Sequence, residues 1–377
     1  MIPYLMCFVV STWFTWLASR NKKQKILFLL FSVCAIMIPC ILAGARDSSV
    51  GTDVLVYGNA SFYKSERMGF VDYMISQGKE YLFATVTYVC SHVFDDIFYY
   101  YFILQALVFV PIYTTLQRDR YSNYAWVGVL CYYFIFFPYT LNLMRQSIAF
   151  ALIFWGYGLA KERKIIKFTL LVGIASMFHV TALFSILIYP IVATIEYKQK
   201  DEDFDIRNNI AKSKKWMAFF LLLAGFILLN MRSLVMLMYN YDQDDYGYFY
   251  KTLTRGGNYH IYLYCILTSI FLLFYWINRN RYNRIDGEAI TLFVLSAIGE
   301  ILYLSAQVST QVYRISLYFH IFLIVLIMHT LGGFWNTVNK RIFKVIVIVL
   351  GFIIWYIFYV NYNWNSTFPY HSTMLNI

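Results

Sequence analysis

The sequence predicts an all-α fold: a polytopic transmembrane helix bundle of about twelve spans, with residues 1–377 forming a single multi-helical membrane domain. Three observations carry that prediction. First, 60% of the 377 residues are hydrophobic and only 14% are charged, whereas soluble domains hold roughly 25% charged and 45–50% apolar residues. Second, apolar runs close to the roughly 20 residues that a spanning helix needs recur along the whole chain. Third, the Lys and Arg residues lie in short clusters between those runs. A soluble enzyme, a disordered tail and a coiled coil are excluded. The net charge of +11 therefore reads as membrane topology, and no nucleic-acid partner is expected.

The expected spans are 2–19, 26–44, 97–117, 124–141, 146–160, 165–179, 181–197, 216–239, 259–277, 287–305, 314–331 and 343–360. The two within 165–197 are short; as a re-entrant pair they would lower the count to ten. The first run has its positive charge after it, at Arg20. A cleaved signal peptide carries charge before its apolar core, so this run is expected to stay as a helix. With residue 1 outside, the inner turns hold 22 of the 31 Lys and Arg residues. Segments 45–96 and 240–258 then form the outer loops, and 198–215 lies inside. Within the first loop, Tyr81 to Phe94 is apolar but too short to span, which suits an interfacial helix. Five of the six cysteines sit in spanning runs without metal spacing, so they read as core. No P-loop, GxGxxG, GxSxG or HExxH occurs, and nothing in the chain suggests a nucleotide site.

Nine cations break the charge rule by facing outward: Arg46, Lys64, Arg67, Lys79, Arg145, Arg232, Lys251, Arg255 and Arg314. Six of these are Arg, whose planar fork of donors suits phosphate better than the point charge of Lys. A snorkelling interfacial Arg is the alternative for each one alone. Arg145 stands in FPYTLNLMRQSIAFAL, where a continuous helix would put Asn142 on one face with both Arg145 and Gln146. Helix-end capping is the competing role there.

His179, in IASMFHVTALFS, has the chemistry of a base or proton carrier near neutral pH, or simply caps a helix end. Asp53, in RDSSVGTDVLVY, offers a general base or a hydroxyl acceptor, a partner for Arg46, or a cap for the following segment. Glu300 is the one acid well inside a span and calls for a partner, for which Arg314 in QVYRISLYFH is placed. Arg255, in TRGGN, is flanked by glycines that let backbone approach a ligand. Ion pairs and a solvated loop are the structural alternatives for these three. The 35 tyrosines suit sugar stacking and interfacial belts alike.

Arg46, the GTD at 51–53, NLMRQSIA at 142–149, MFH at 177–179 and YRIS at 313–316 together resemble the EpsG family, a branch of the Wzy-like polysaccharide polymerases. The resemblance implies a fold related to the GT-C glycosyltransferases. It also implies polymerisation of undecaprenyl-pyrophosphate-linked oligosaccharide repeat units for O-antigen, capsule or exopolysaccharide. The setting would be the bacterial cytoplasmic membrane, with the site facing outward. On that reading Asp53, His179 and Arg145 are catalytic. Arg46, Asn142, Gln146, Arg255, Glu300 and Arg314 bind substrate. Lipid, a flippase and chain-length regulators are the implied partners. Guanidinium groups can hold pyrophosphate unaided, so neither metal nor other cofactor is expected. A lipid-linked single-sugar transferase, an O-antigen ligase and a lipid-linked oligosaccharide transporter are the alternatives.

Overall fold

The computed structural model of the chain describes residues 1–78, 80–196, 259–278, 287–307, 312–334 and 336–377, with scattered positions between 215 and 236. Among these residues every regular element is helical and none is a strand. Among the described residues seven helical stretches are long and apolar enough to cross a membrane: Ile2–Arg20, Lys25–Gly44, Ile97–Arg118, Tyr259–Asn278, Gly287–Gln307, Tyr313–Gly333 and Thr337–Asn361. The protein is a membrane-embedded, polytopic helical protein. The expected loop 240–258, with Arg255, and residues 198–214 lie outside the described residues.

The chain forms two compact units. The first comprises Met1–Gly156, Thr169–Leu183 and Asn336–Ile377; the second comprises Tyr157–Phe168 and Phe184–Trp335.

In the first unit, α1 (Ile2–Arg20) carries Pro3 in its opening turn, where the missing N–H has no intrahelical partner to lose. It pairs with α2 (Lys25–Gly44) through Ser11 Oγ, which donates to Ala35 O at 2.7 Å. α2 turns Ile26, Leu29, Leu30, Val33, Met37 and Ile41 outward, while Ala35, Cys40 and Ala43 are buried. A soluble helix does the reverse. Small residues inward and large aliphatic ones outward is the pattern of a helix packed in lipid.

The segment 45–96 holds a π-turn Val54–Asn59, then α3 (Ala60–Ser65), α4 (Phe70–Gln77) and α5 (Tyr81–Val93). α5 is the expected short apolar helix. Asp96 accepts from Phe98 N–H at 2.8 Å and caps α6 (Ile97–Arg118), as Asn336 does for α16 (Thr337–Trp355).

The expected span 124–141 is not one helix. It divides at Phe136 into α7 (Ala125–Ile135) and α8 (Phe137–Asn142). Pro138 lacks an N–H and its ring clashes with the carbonyl four residues back, so the helix must restart. Next come α9 (Met144–Lys161) and α10 (Ile165–Ser176). Buried tyrosines stitch the unit together: Tyr133 Oη donates to Ser11 Oγ at 2.5 Å, Tyr113 Oη to Ser32 Oγ at 2.9 Å and Tyr359 Oη to Ile135 O at 2.7 Å. Such bonds average about 0.6 kcal/mol in membrane proteins. The basic turn Arg20–Lys25 sits at one end of the α1–α2 pair, and Arg46 lies just beyond the opposite end of α2.

The second unit contains α11 (Ile188–Glu196), α12 (Tyr259–Asn278), α13 (Gly287–Tyr303), α14 (Leu317–His320) and α15 (Leu323–Gly333). Lys161 forms an ion pair with Glu288, and Arg163 donates to Ala193 O at 2.7 Å. All six cysteines are free thiols, and all but Cys34 are buried.

Candidate active site

Gly51 sets the loop that opens the site. Its φ is +104°, and a side chain there would stand 3.1 Å from Leu141 O and 3.4 Å from Asn142 Oδ1. Only glycine meets both the backbone angle and the close approach. The neighbouring Thr52 Oγ1 and Asp53 N–H both donate to Asn142 Oδ1, at 3.1 and 2.8 Å. Asp53 precedes the π-turn, but its side chain makes no capping bond. Asn142 supplies the cap from another helix, and the half-buried Asp53 carboxylate is not used for it.

The shared face expected for Asn142, Arg145 and Gln146 is not formed. Leu143 takes φ −83° and ψ 56°, which ends α8 at Asn142. Arg145 and Gln146 instead stand in the first turn of α9. Asn142 serves the Gly51–Asp53 loop, while Arg145 turns to a different partner. Gln146 is buried.

That partner is Glu80, which the sequence reading missed. Arg145 Nη1 lies 2.5 Å from Glu80 Oε2, and the guanidinium stacks 4.5 Å above the Tyr57 ring. The other carboxylate oxygen, Oε1, lies 2.6 Å from His179 Nδ1. Glu80 is placed by the start of α5. Leu82 N–H donates to Met177 O at 3.1 Å, so the start of α5 is tied to the chain just ahead of His179. Burial pushes the Glu80 carboxyl up. The His179 hydrogen bond and the Arg145 guanidinium outweigh that, and hold it below its ordinary value. Glu80 is therefore a carboxylate, able only to accept. His179 must then carry its proton on Nδ1 when neutral, which leaves Nε2 as a lone-pair acceptor. About a third of the Arg145 side chain remains exposed, at the start of a helix where backbone N–H groups favour anions.

Arg46 is buried, with its guanidinium 4.6 Å from the Tyr101 ring and Nη2 3.3 Å from Met144 Sδ. Tyrosine rings surround the cation: Tyr101, Tyr4, Tyr370 and Tyr100 all act on it. Burial lowers its pKa, and Tyr101, Tyr4 and Tyr370 oppose that shift. Tyr101 also donates to Asn59 Oδ1. Met144, touching Arg46, directly precedes Arg145 in the chain, so α9 links the surroundings of the two cations.

The remaining expected residues lie in the second unit. Glu300 is buried on α13, and its Oε1 stands 3.3 Å from His320 Nδ1. The neighbour found there is His320 on α14, a residue that the sequence reading did not single out. Arg314 lies in the 3-10 segment Val312–Ser316 and is half-buried. Glu80 carried no sequence signal of its own. It is one of several acids in the first outer loop, and only the cost of an unpaired Arg145 could have prompted a search for it.

The model of the EpsG family matches residues 29–372, nearly the whole chain. No curated protein and no solved structure matches. The matched range takes in Arg46, Asp53, Glu80, Asn142, Arg145 and His179. The chain belongs to the EpsG family.

Proposed function

From membership of the EpsG family, whose proteins are polysaccharide polymerases of the glycosyltransferase type embedded in membranes, we infer a specific reaction. This chain joins undecaprenyl-pyrophosphate-linked oligosaccharide repeat units on the outer side of the bacterial cytoplasmic membrane. The observation that carries this reading is the Arg145–Glu80–His179 cluster, a fixed cation and an oriented imidazole held by one carboxylate.

Glycosyl transfer needs a base for the acceptor hydroxyl and positive charge for the departing pyrophosphate. His179 Nε2 takes the hydroxyl proton. The acceptor oxygen bonds to the anomeric carbon as the bond from that carbon to the pyrophosphate oxygen breaks. Arg145, with donors still open beyond Glu80, stabilises the charge on the leaving group. Glu80 keeps the imidazole in the required tautomer and stabilises the imidazolium, the role a carboxylate plays behind a catalytic histidine. Asp53, presented by Asn142, accepts a sugar hydroxyl. Arg46, walled by tyrosines, adds positive potential behind Arg145. The exposed Tyr57 ring beneath Arg145 offers a stacking face for a sugar.

Flippase and chain-length regulator proteins are the partners such a reaction would work with. The test is the glycan of a deletion strain. Single repeat units on lipid or acceptor, with long polymer missing, are expected. Polymer of normal length, in a strain without a second polymerase, would refute the reading. A single-sugar transferase or a ligase would share this chemistry, but loss of the first would leave the unit one sugar short, and loss of the second would leave long polymer on the lipid.

A further inference from the structure

The closing segment Asn363–Ile377 follows the last membrane-crossing helix, yet it is not a loose tail. It runs back across the end of the first unit that carries Arg46. Tyr4 Oη donates to Thr367 O at 2.5 Å, Tyr370 Oη to Leu42 O at 2.8 Å and Ser372 Oγ to Ala45 O at 2.5 Å. Three further contacts reach the loop that leads to Asp53. Gly51 N–H donates to Ser366 O at 2.8 Å, and Asp47 N–H to His371 O at 2.9 Å. The Asp47 carboxylate accepts from both the N–H and the hydroxyl of Thr373, each at 2.9 Å. Thr367, Tyr370 and Ser372 are buried by these contacts.

The backbone of the segment points the same way. Among the described residues, five non-glycine residues have positive φ, and four of them lie here: Asn363, Asn365, Ser366 and Asn376. L-residues occupy that region at a cost, and hold it only where the surroundings over-determine it. The segment is therefore pinned from both sides in an unfavourable conformation. One of its pinning partners is Gly51, whose geometry sets the Asp53 loop.

We propose that Asn363–Ile377 is a positioning clamp for the site: it holds the Asp47–Asp53 loop against Asn142 and closes Tyr370 over the surroundings of Arg46. The loop is gripped on one flank by Ser366, His371 and Thr373, and on the other by Asn142. The first grip holds Asp47 and Gly51, and the second holds Thr52 and Asp53. None of the segment's residues needs to touch substrate. Its effect runs through Asp53 and Arg46.

The experiment deletes residues 363–377 from the full chain in a deletion strain, with membrane levels matched. Val50, buried in this loop, is replaced by Cys as a reporter. The expected result is at least a tenfold loss of long polymer, together with labelling of Val50→Cys by a membrane-impermeant maleimide that the full chain resists. Normal polymer and a shielded Val50→Cys would overturn the proposal. If the deleted chain does not reach the membrane, a cysteine pair decides. Asp47→Cys alone should reduce polymer. Asp47→Cys with Thr373→Cys should recover it under oxidising conditions, by a disulfide in place of the two hydrogen bonds, and lose it again with an impermeant reductant. Equal output in both redox states would overturn the clamp. The polymer readout rests on the polymerase reading, but the labelling readout does not. Full polymer from His179→Ala would refute that reading and leave the clamp standing on the labelling alone.

Discussion

His179 Nδ1 lies 2.6 Å from Glu80 Oε1, although 99 residues separate them in the chain. An ionised carboxylate can only accept, so this contact assigns the imidazole proton to Nδ1 and turns Nε2 into the basic nitrogen. His179→Ala should reduce polymer formation by about 10²–10⁴-fold. Glu80→Gln should cost at least tenfold. An amide accepts on one side only. With its oxygen toward His179, its NH₂ faces the Arg145 N–H. With its oxygen toward Arg145, its NH₂ faces His179 Nδ1, which can accept only by moving the imidazole proton to Nε2, so the base is lost. The check is initial polymerisation rate in membranes with matched protein levels. A Glu80→Gln rate equal to wild type would remove the orienting role.

Arg145 differs from a snorkelling cation in being held between a carboxylate and a ring. If its fork of donors holds pyrophosphate, Arg145→Lys keeps the charge and loses the geometry. Arg145→Lys should then fail nearly as badly as Arg145→Ala, by roughly 10²–10³-fold. Full-length polymer from Arg145→Lys would show that charge alone suffices.

Acid should loosen this cluster. The Glu80 carboxyl is held below its ordinary value of 4.5. Its contribution to stability is thus fully present above that value and is lost as pH falls through the lowered pKa. The thermal midpoint of detergent-solubilised protein should drop on acidification below about pH 4.5. Glu80→Gln should show a smaller drop over that range. An identical acid profile for the two proteins would contradict the assignment.

Gly51→Ala tests the turn. The new methyl would meet Leu141 O at 3.1 Å with φ held at +104°. A forced positive φ costs of order 1–3 kcal/mol, and displacement of Asn142 would release Asp53 N–H. Polymer yield should fall severalfold while membrane level changes little. Unchanged yield would mean that the loop tolerates movement.

Sidedness is checked by cysteine labelling of intact cells. Glu66 in the 45–96 segment and Lys23 in the α1–α2 turn are both exposed. Glu66→Cys should react with an impermeant maleimide and Lys23→Cys should not. The opposite result would invert the topology and move the site to the other face.

The class of this protein was legible in one dimension. Hydropathy and the 22 clustered cations are local properties, and lipid responds to them directly. Helices at 2–20, 25–44 and 97–118 therefore lie where the runs of the sequence put them. Arg46, Asp53, Arg145 and His179 could be named as chemically unusual for the same reason, since each is a polar residue at an apolar boundary. What they do to one another was not legible. The apolar runs leave a break at 142–145, but only the structure shows that Leu143 ends α8 there and so parts Asn142 from Arg145. Glu80, 65 residues from Arg145, resembles any loop acid until α5 and α9 bring it between a guanidinium and an imidazole. Nothing local in Asn363–Ile377 marks a partner, yet the segment packs on Tyr4 and Gly51, more than 300 positions earlier. Pairings of this kind depend on which helix ends meet in space, and that is decided by the packing of whole helices rather than by the composition of any one of them.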